Sequence, residues 1–221
     1  TLETLTQKYT LSPDGFPEAV SAIGKALTAA PVSLAFSTGK SEFKAVSPIR
    51  WLKKTASLVV WQVDYQAADC RAVLTGQLEF DGMIRYDLTL KPLKDNVRLD
   101  TMILTVPFRR EIGKYMLPYA GPYQKWSVLD IPTEIRGHYA DAFMPHLWAG
   151  DNTAGLAWFA ESDEFYFPKS RDEVVEITET AKETDMRINM VQVPFPLKKE
   201  LTYTFGLQAT PARRQPENWT S

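Results

Sequence analysis

The side chains best suited to proton transfer in this 221-residue chain are two histidines, His138 and His146. An imidazole exchanges protons near neutral pH, so a histidine that faces a carboxylate is a candidate acid–base pair. His146 precedes an acidic cluster that contains Glu161 and Asp163, and His146 with Glu161 is the pairing that could act on a sugar ring. A solitary histidine in a β protein more often has a structural or surface role. The sequence therefore assigns no catalytic residue.

Two tryptophans in the same stretch, residues 143–167, could stack on a sugar. Trp148 and Trp158 have flat apolar faces that suit the axial C–H groups of a pyranose, although large aromatic side chains in apolar strands usually belong to the core. The predicted carbohydrate-binding set is listed in full as His146, Trp148, Trp158, Glu161 and Asp163.

A strand pair must position these residues. The pattern predicts strands at His146–Ala149 and Gly155–Glu161, joined by a turn over residues 150–154 that is rich in Gly, Asp and Asn. Alternation places Trp158 on one face of the second strand and Phe159 on the other. Both faces are apolar, which indicates a strand that is covered on both sides.

A hairpin around Asp81 and Gly82 tests the register of the neighbouring strands. A two-residue loop would put the apolar side chains of the two strands on opposite faces of the sheet. A three-residue loop, Phe80–Gly82, with the glycine in the left-handed conformation instead pairs Leu78 with Ile84. That register predicts one apolar face and one wet face, and the wet face would carry Arg85, Asp87, Thr89 and Lys91.

The whole chain offers about a dozen strand candidates and little helix, which predicts an all-β fold, a large antiparallel β-sandwich. Residues 16–30 could be a helix or short strands, and Arg110–Met116 is predicted to form a short helical turn. The predicted sandwich domain covers residues 1–211. Residues 212–221 are polar and proline-rich, which predicts a linker toward a further domain.

Composition excludes several functions. The net charge of −2 and a pI near 5.8 provide no basic surface for nucleic acid, and no apolar run is long enough to span a membrane. The single cysteine, Cys70, is expected to pack in the core, and the absence of a Cys/His cluster predicts neither a metal site nor a cofactor.

A loop that follows the long strands is rich in aromatic residues. Tyr119, Tyr123 and Trp126 lie among prolines and glycines, and aromatic loops of this kind pack on a sheet or against a neighbour. Together with Tyr115 they could form a second carbohydrate-contact surface or the face that docks a second domain of the same polypeptide. We predict that Tyr119, Tyr123 and Trp126 dock that domain.

Five segments, in this order and spacing, resemble the N-terminal β-sandwich domain of glycoside hydrolase family 123. The resemblance spans nearly the whole chain and implies a supersandwich like that of galactose mutarotase. The segments are Leu78–Gly82, Arg85–Leu90, Trp148–Asp151, Gly155–Ser162 and Phe205–Pro211.

In that family the sandwich precedes a (β/α)8 barrel that cleaves N-acetylgalactosamine-type β-glycosides through an adjacent Asp-Glu pair. The pairs Asp163-Glu164 and Asp172-Glu173 do not follow barrel strands, so this role is not transferred to them. The resemblance implies a non-catalytic domain of a secreted or periplasmic enzyme, with a carbohydrate and the barrel as partners. The alternatives are a free-standing carbohydrate-binding module and a mutarotase-like enzyme that uses His146 and Glu161.

Overall fold

The computed structural model describes residues 1–39, 41–118 and 132–213, and nearly all regular structure in them is β-strand. One 3₁₀ helix, Arg171–Glu173, is the only helix in these ranges. The strands are β1 (Leu2–Glu3), β2 (Gln7–Leu11), β3 (Pro17–Ala22), β4 (Lys25–Ala26), β5 (Ser33–Thr38), β6 (Ser41–Glu42), β7 (Lys44–Ala45), β8 (Arg50–Lys54), β9 (Leu58–Gln66), β10 (Cys70–Glu79), β11 (Met83–Pro92), β12 (Arg98–Arg109), β13 (Tyr115–Pro118), β14 (Thr133–Glu134), β15 (His138–Asp141), β16 (His146–Gly150), β17 (Gly155–Phe159), β18 (Val175–Glu179), β19 (Glu183–Val191), β20 (Phe195–Pro196) and β21 (Leu201–Thr210).

Within the described residues these strands form three antiparallel sheets. The large sheet has ten strands in the order β14-β13-β16-β17-β21-β11-β10-β9, with β7 and β8 both paired to the far edge of β9. The second sheet has seven strands in the order β15-β18-β19-β12-β5-β6, with β20 also paired to β12. The N-terminal sheet contains β1 to β4 in sequence order. This architecture is the predicted antiparallel β-sandwich.

A single hydrophobic cluster joins the three sheets and forms the core. Strand β11 illustrates how a strand contributes to this core. Its even-numbered residues from Ile84 to Leu90 are fully buried, whereas Arg85 and Lys91 are exposed. This period-2 pattern is that of a strand with one face on the core and one face in solvent. We call the solvent-facing side of the large sheet the outer face.

The hairpin between β10 and β11 has the predicted register. Leu78 pairs with Ile84, Leu74 pairs with Leu88, and Gly82 adopts a φ of +89°. The three-residue loop thus keeps both apolar sets on the core side.

We predict that Gly82→Ala destabilises the fold by about 2 kcal/mol or more, since a left-handed backbone disfavours a Cβ and overpacking adds to the loss. A Cβ at Gly82 would lie 2.5 Å from Cδ of Gln7. Gly24 is a matched control, because its φ is +81° but no atom lies within 4 Å of its Cβ position. Urea unfolding of both variants should show the larger loss for Gly82→Ala. Equal losses would rule out the steric contribution.

The structure decides one open alternative and corrects one local prediction. Residues 16–30 contain strands β3 and β4 rather than a helix, because Val20 and Ala22 alternate into the core and β3 pairs with β2. The predicted helical turn in Arg110–Met116 is a hydrogen-bonded turn, and strand β13 already begins at Tyr115.

The N-terminal sheet is fastened to the end of β21 by a buried glutamine. The Gln7 side-chain amide donates to the carbonyl oxygens of Asp81, Ala209 and Pro211 at 3.1 to 3.2 Å. Beside it, the Tyr9 hydroxyl accepts the backbone N–H of Ala209 at 2.9 Å. These buried polar groups each have a hydrogen-bond partner, so their burial does not leave an unpaired donor or acceptor that would destabilise the fold.

Cys70 packs in the core, as predicted. Its side chain is fully buried, and burial raises the pKa of its thiol to about 11. The group is therefore a neutral thiol at physiological pH and a poor nucleophile.

Candidate functional site

The outer face of the large sheet collects side chains from five neighbouring strands, β13, β16, β17, β21 and β11. Cross-strand pairing defines rows on this face, since residues that pair directly share the same side of the sheet. The first row is Tyr115, Gly150, Gly155 and Thr210, the second is Leu117, Trp148, Ala157, Gln208 and Met83, and the third is His146, Phe159, Gly206 and Arg85.

The Trp148 indole lies over a pair of glycines. A Cβ at Gly155 would lie 2.5 Å from the ring atoms Cε2 and Cζ2, and a Cβ at Gly150 would also overlap Cζ2. The indole N–H donates to Thr210 Oγ1 at 2.9 Å. The ring thus reaches across two strands to a third, and the glycines allow it to lie close to the backbone.

Phe159 repeats this arrangement one row away. Its ring occupies the space above Gly206, where a Cβ would overlap it. His146 pairs with Phe159, and its half-buried imidazole has a pKa lowered by burial, so it is neutral at pH 7. Among the described residues, the structure shows no hydrogen bond to this imidazole. Two aromatic rings and a neutral histidine therefore give this end of the outer face an apolar character.

Trp158, one of the residues predicted to bind carbohydrate, lies in the core instead. It pairs with Leu147, so it faces the core, and its side chain is 0% exposed. Its ring meets Phe143 edge-on with centroids 6.2 Å apart, and its indole N–H has no partner within the described ranges. A buried ring cannot contact a sugar, and its role is packing.

The acidic residues of the set lie beyond the end of β17. Glu161 and Asp163 are exposed, and Glu161 lines a shallow cavity of about 190 Å³ together with Thr202 and Thr204. In the described part of the chain, no hydrogen bond or ion pair joins Glu161 to His146. The acid–base pairing considered from the sequence is not formed.

Two further sequence-based candidates have other outcomes. His138 lies at an exposed edge, where its Nδ1 is 3.1 Å from Thr178 Oγ1. Tyr119, Tyr123 and Trp126 lie outside the described residues. The described ranges contain no group of three or more metal-ligating side chains and no helix with the length and apolar character to cross a bilayer.

A cavity of about 310 Å³, which we call the Trp148 cavity, opens beside the indole. Trp148 is part of its lining, Tyr115 and Thr210 lie on either side of the indole in the first row, and the turn after β16 contributes further lining residues. Its lining includes Tyr115, Trp148, Asp151, Asn152, Thr153 and Thr210. The sequence pointed to Tyr115 only as part of the aromatic loop, and Asn152 and Thr210 were not predicted, although the glycines that flank the turn were a signal of a close approach.

Asp151 stabilises that turn. Its Oδ1 accepts the backbone N–H groups of Thr153 and Ala154, and its Oδ2 accepts Lys25 Nζ at 2.9 Å. Burial raises the pKa of this carboxyl, but the hydrogen bonds from Lys25, Thr153 and Ala154 outweigh burial and hold the pKa well below its usual range. Asp151 is therefore ionised at physiological pH, and both oxygens are already bonded.

Solved structures define the class of fold. A putative aldose 1-epimerase from Escherichia coli K12 is similar with a TM-score of 0.56 at 7% identity over 92% of this chain and 99% of its own. The Slr1438 protein from Synechocystis sp. PCC 6803 also has a TM-score of 0.56, at 9% identity over 93% of this chain and 92% of its own. An α-mannosidase from Enterococcus faecalis V583 has a TM-score of 0.54 at 9% identity over 95% of this chain, which matches 29% of the mannosidase. The fold is the galactose mutarotase-like sandwich.

The sequence defines the family. A family model described as glycoside hydrolase 123, third domain, matches residues 1–211, so the chain belongs to this family. The resemblance found in the sequence was to the same family, but to its N-terminal domain rather than one numbered third. A search with the sequence found no matching curated protein.

Proposed function

We propose that this chain is a non-catalytic domain of a glycoside hydrolase that acts on N-acetylgalactosamine-type β-glycosides and that it supports a catalytic (β/α)8 barrel. The proposed non-catalytic role is supported by the protonation state and the hydrogen bonding of His146. This histidine is neutral, partly buried and, in the described residues, hydrogen-bonded to no carboxylate. A proton-transfer step on a sugar needs an acid and a base that converge on the ring.

The outer face is the surface proposed to meet the carbohydrate. His146 and Trp148 lie on it, and Glu161 and Asp163 lie on the exposed segment next to it. Tyr119, Tyr123 and Trp126 remain the residues proposed to dock the barrel. A secreted or periplasmic enzyme is part of the same proposal and rests on the family resemblance.

Turnover by the isolated chain tests the non-catalytic role. We expect no hydrolysis of 4-nitrophenyl N-acetyl-β-D-galactosaminide and no acceleration of the interconversion of galactose anomers, measured by absorbance and polarimetry. His146→Ala should leave both rates at the background value. Turnover that His146→Ala abolishes, and that His138→Ala keeps, would instead identify a mutarotase-like sugar-processing enzyme.

A free-standing carbohydrate-binding module is the second candidate, and the Trp148 indole favours it. A ring that lies over Gly150 and Gly155, with its N–H bonded to Thr210, is already fixed before a ligand arrives. Such a module would bind glycan with the same affinity whether or not a barrel is present. A supporting domain would gain affinity only when the barrel completes the site.

A further inference from the structure

We propose that the Trp148 cavity binds one neutral pyranose ring of a glycan, stacked on the indole of Trp148. The proposal rests on the proposed function only for the identity of the sugars to be tested.

The Trp148 indole in the lining suits a sugar ring because it is flat and fixed. The indole lies above two glycines, and its N–H is held by Thr210, so binding would not need to order the ring. Aromatic side chains give a large rigid contact surface at a small cost in conformational entropy. The apolar C–H face of a pyranose is the part of a sugar that would rest on it.

The rim of the cavity offers neutral hydrogen-bonding groups. Asn152 is exposed at the turn, and its amide is both a donor and an acceptor, as a vicinal pair of hydroxyl groups requires. Tyr115 also lines the cavity, and its phenolic hydroxyl can donate or accept a hydrogen bond. Within the described ranges, the structure shows no hydrogen bond made by either side chain.

The charge of the lining indicates a neutral ligand. Among the described residues of the lining, Asp151 is the charged one, and its two carboxylate oxygens already accept Lys25 and the turn N–H groups. An anionic sugar would find no unpaired cation among these residues, and a cationic ligand would compete with Lys25. A neutral hexose or N-acetylhexosamine has neither problem.

The size of the cavity indicates a single ring. Its volume of about 310 Å³ lies at the lower end of the roughly 300–1,000 Å³ range of small-molecule sites. Because the cavity is open, the rest of a glycan could continue into solvent or toward a second domain.

The test is a titration of the folded chain with the methyl β-glycosides of N-acetylgalactosamine, galactose and glucose, followed by NMR of the indole N–H signals. The Trp148 signal is assigned as the one that disappears in Trp148→Phe. We expect saturable shifts of this signal, with a Kd in the millimolar range. Trp148→Ala and Asn152→Ala should each weaken binding at least 10-fold.

Trp51→Ala is the matched control, because Trp51 is a second surface tryptophan, 40% exposed on β8 and outside the cavity. It should leave the Kd unchanged. Asn152→Ala keeps the test decisive if Trp148→Ala fails to fold, since Asn152 is exposed at a turn.

Two results would overturn the proposal. The first is no shift of the Trp148 signal by about 10 mM sugar, where a 1 mM site would be about 90% occupied. The second is binding that Trp148→Ala and Asn152→Ala leave intact. Either result would leave the non-catalytic domain role standing, whereas turnover by the isolated chain would remove that role without affecting the cavity.

Discussion

Replacing Trp158 with alanine is expected to lower the free energy of unfolding by about 3–5 kcal/mol, which is the range for the loss of a large buried aromatic side chain. The side chain is fully buried and its ring contacts Phe143. The neighbouring sheets are held apart by other side chains, so the cavity left behind would close only in part. Urea unfolding followed by circular dichroism measures the loss.

Trp148→Ala is the informative comparison, since Trp148 lies on the opposite face and is only half-buried. We expect about half the loss or less, because less apolar area leaves water when this side chain folds. Trp158→Phe should also cost less than Trp158→Ala, since it keeps most of the packing and removes an indole N–H that has no partner among the described residues. Equal losses for Trp148→Ala and Trp158→Ala would contradict the assignment of their two faces.

Gln7→Ala is expected to destabilise the fold by about 2–4 kcal/mol, because a buried acceptor that loses its donor costs about 1–3 kcal/mol. The substitution removes the amide that serves the carbonyls of Asp81, Ala209 and Pro211. It also leaves a space at the point where the N-terminal sheet meets the end of β21. The free energy of unfolding in urea is again the quantity to measure.

Lys8→Ala is the control for Gln7→Ala, as Lys8 is the next residue of β2 and is exposed. Among the described residues, its side chain makes only a surface ion pair with Glu3. Its loss should stay within about 0.5 kcal/mol. Gln7→Glu has nearly the same shape but turns an oxygen toward the carbonyls. It should be at least as destabilising as Gln7→Ala at neutral pH, and a loss as small as that of Lys8→Ala would contradict the bonding described for the amide.

The fold was predictable from the sequence where an alternating apolar pattern was compatible with only one strand register. The loop at Phe80–Gly82 is such a case, because only the three-residue loop keeps Leu78 and Ile84 on one face, and the structure has that register. Residues 16–30 were not predictable in the same way. Their apolar residues fit two periods, and pairing of β3 with β2 decides between them.

The candidate site was predictable only in part. Trp148 and Trp158 both lie in strands that are apolar on both faces, so the alternation could not show which ring faces the core. Thr210 and Tyr115 come from strands that flank β16 and β17 only in three dimensions. No local pattern in a single sequence states which strands are neighbours.

The bonds of Thr6 and Gln7 to Pro211 also affect how this domain can be joined to other chains. The Thr6 hydroxyl donates to the Pro211 carbonyl at 2.6 Å, so segments 205 positions apart touch directly. Two segments that lie near opposite ends of the domain in sequence, around Thr6 and Pro211, are therefore side by side in the structure. A short connector between them would give a circularly permuted chain, with new ends opened at an exposed hairpin, at little cost in loop-closure entropy. By the same geometry, the domain could be inserted into a surface loop of a host protein without forcing the two sides of that loop apart.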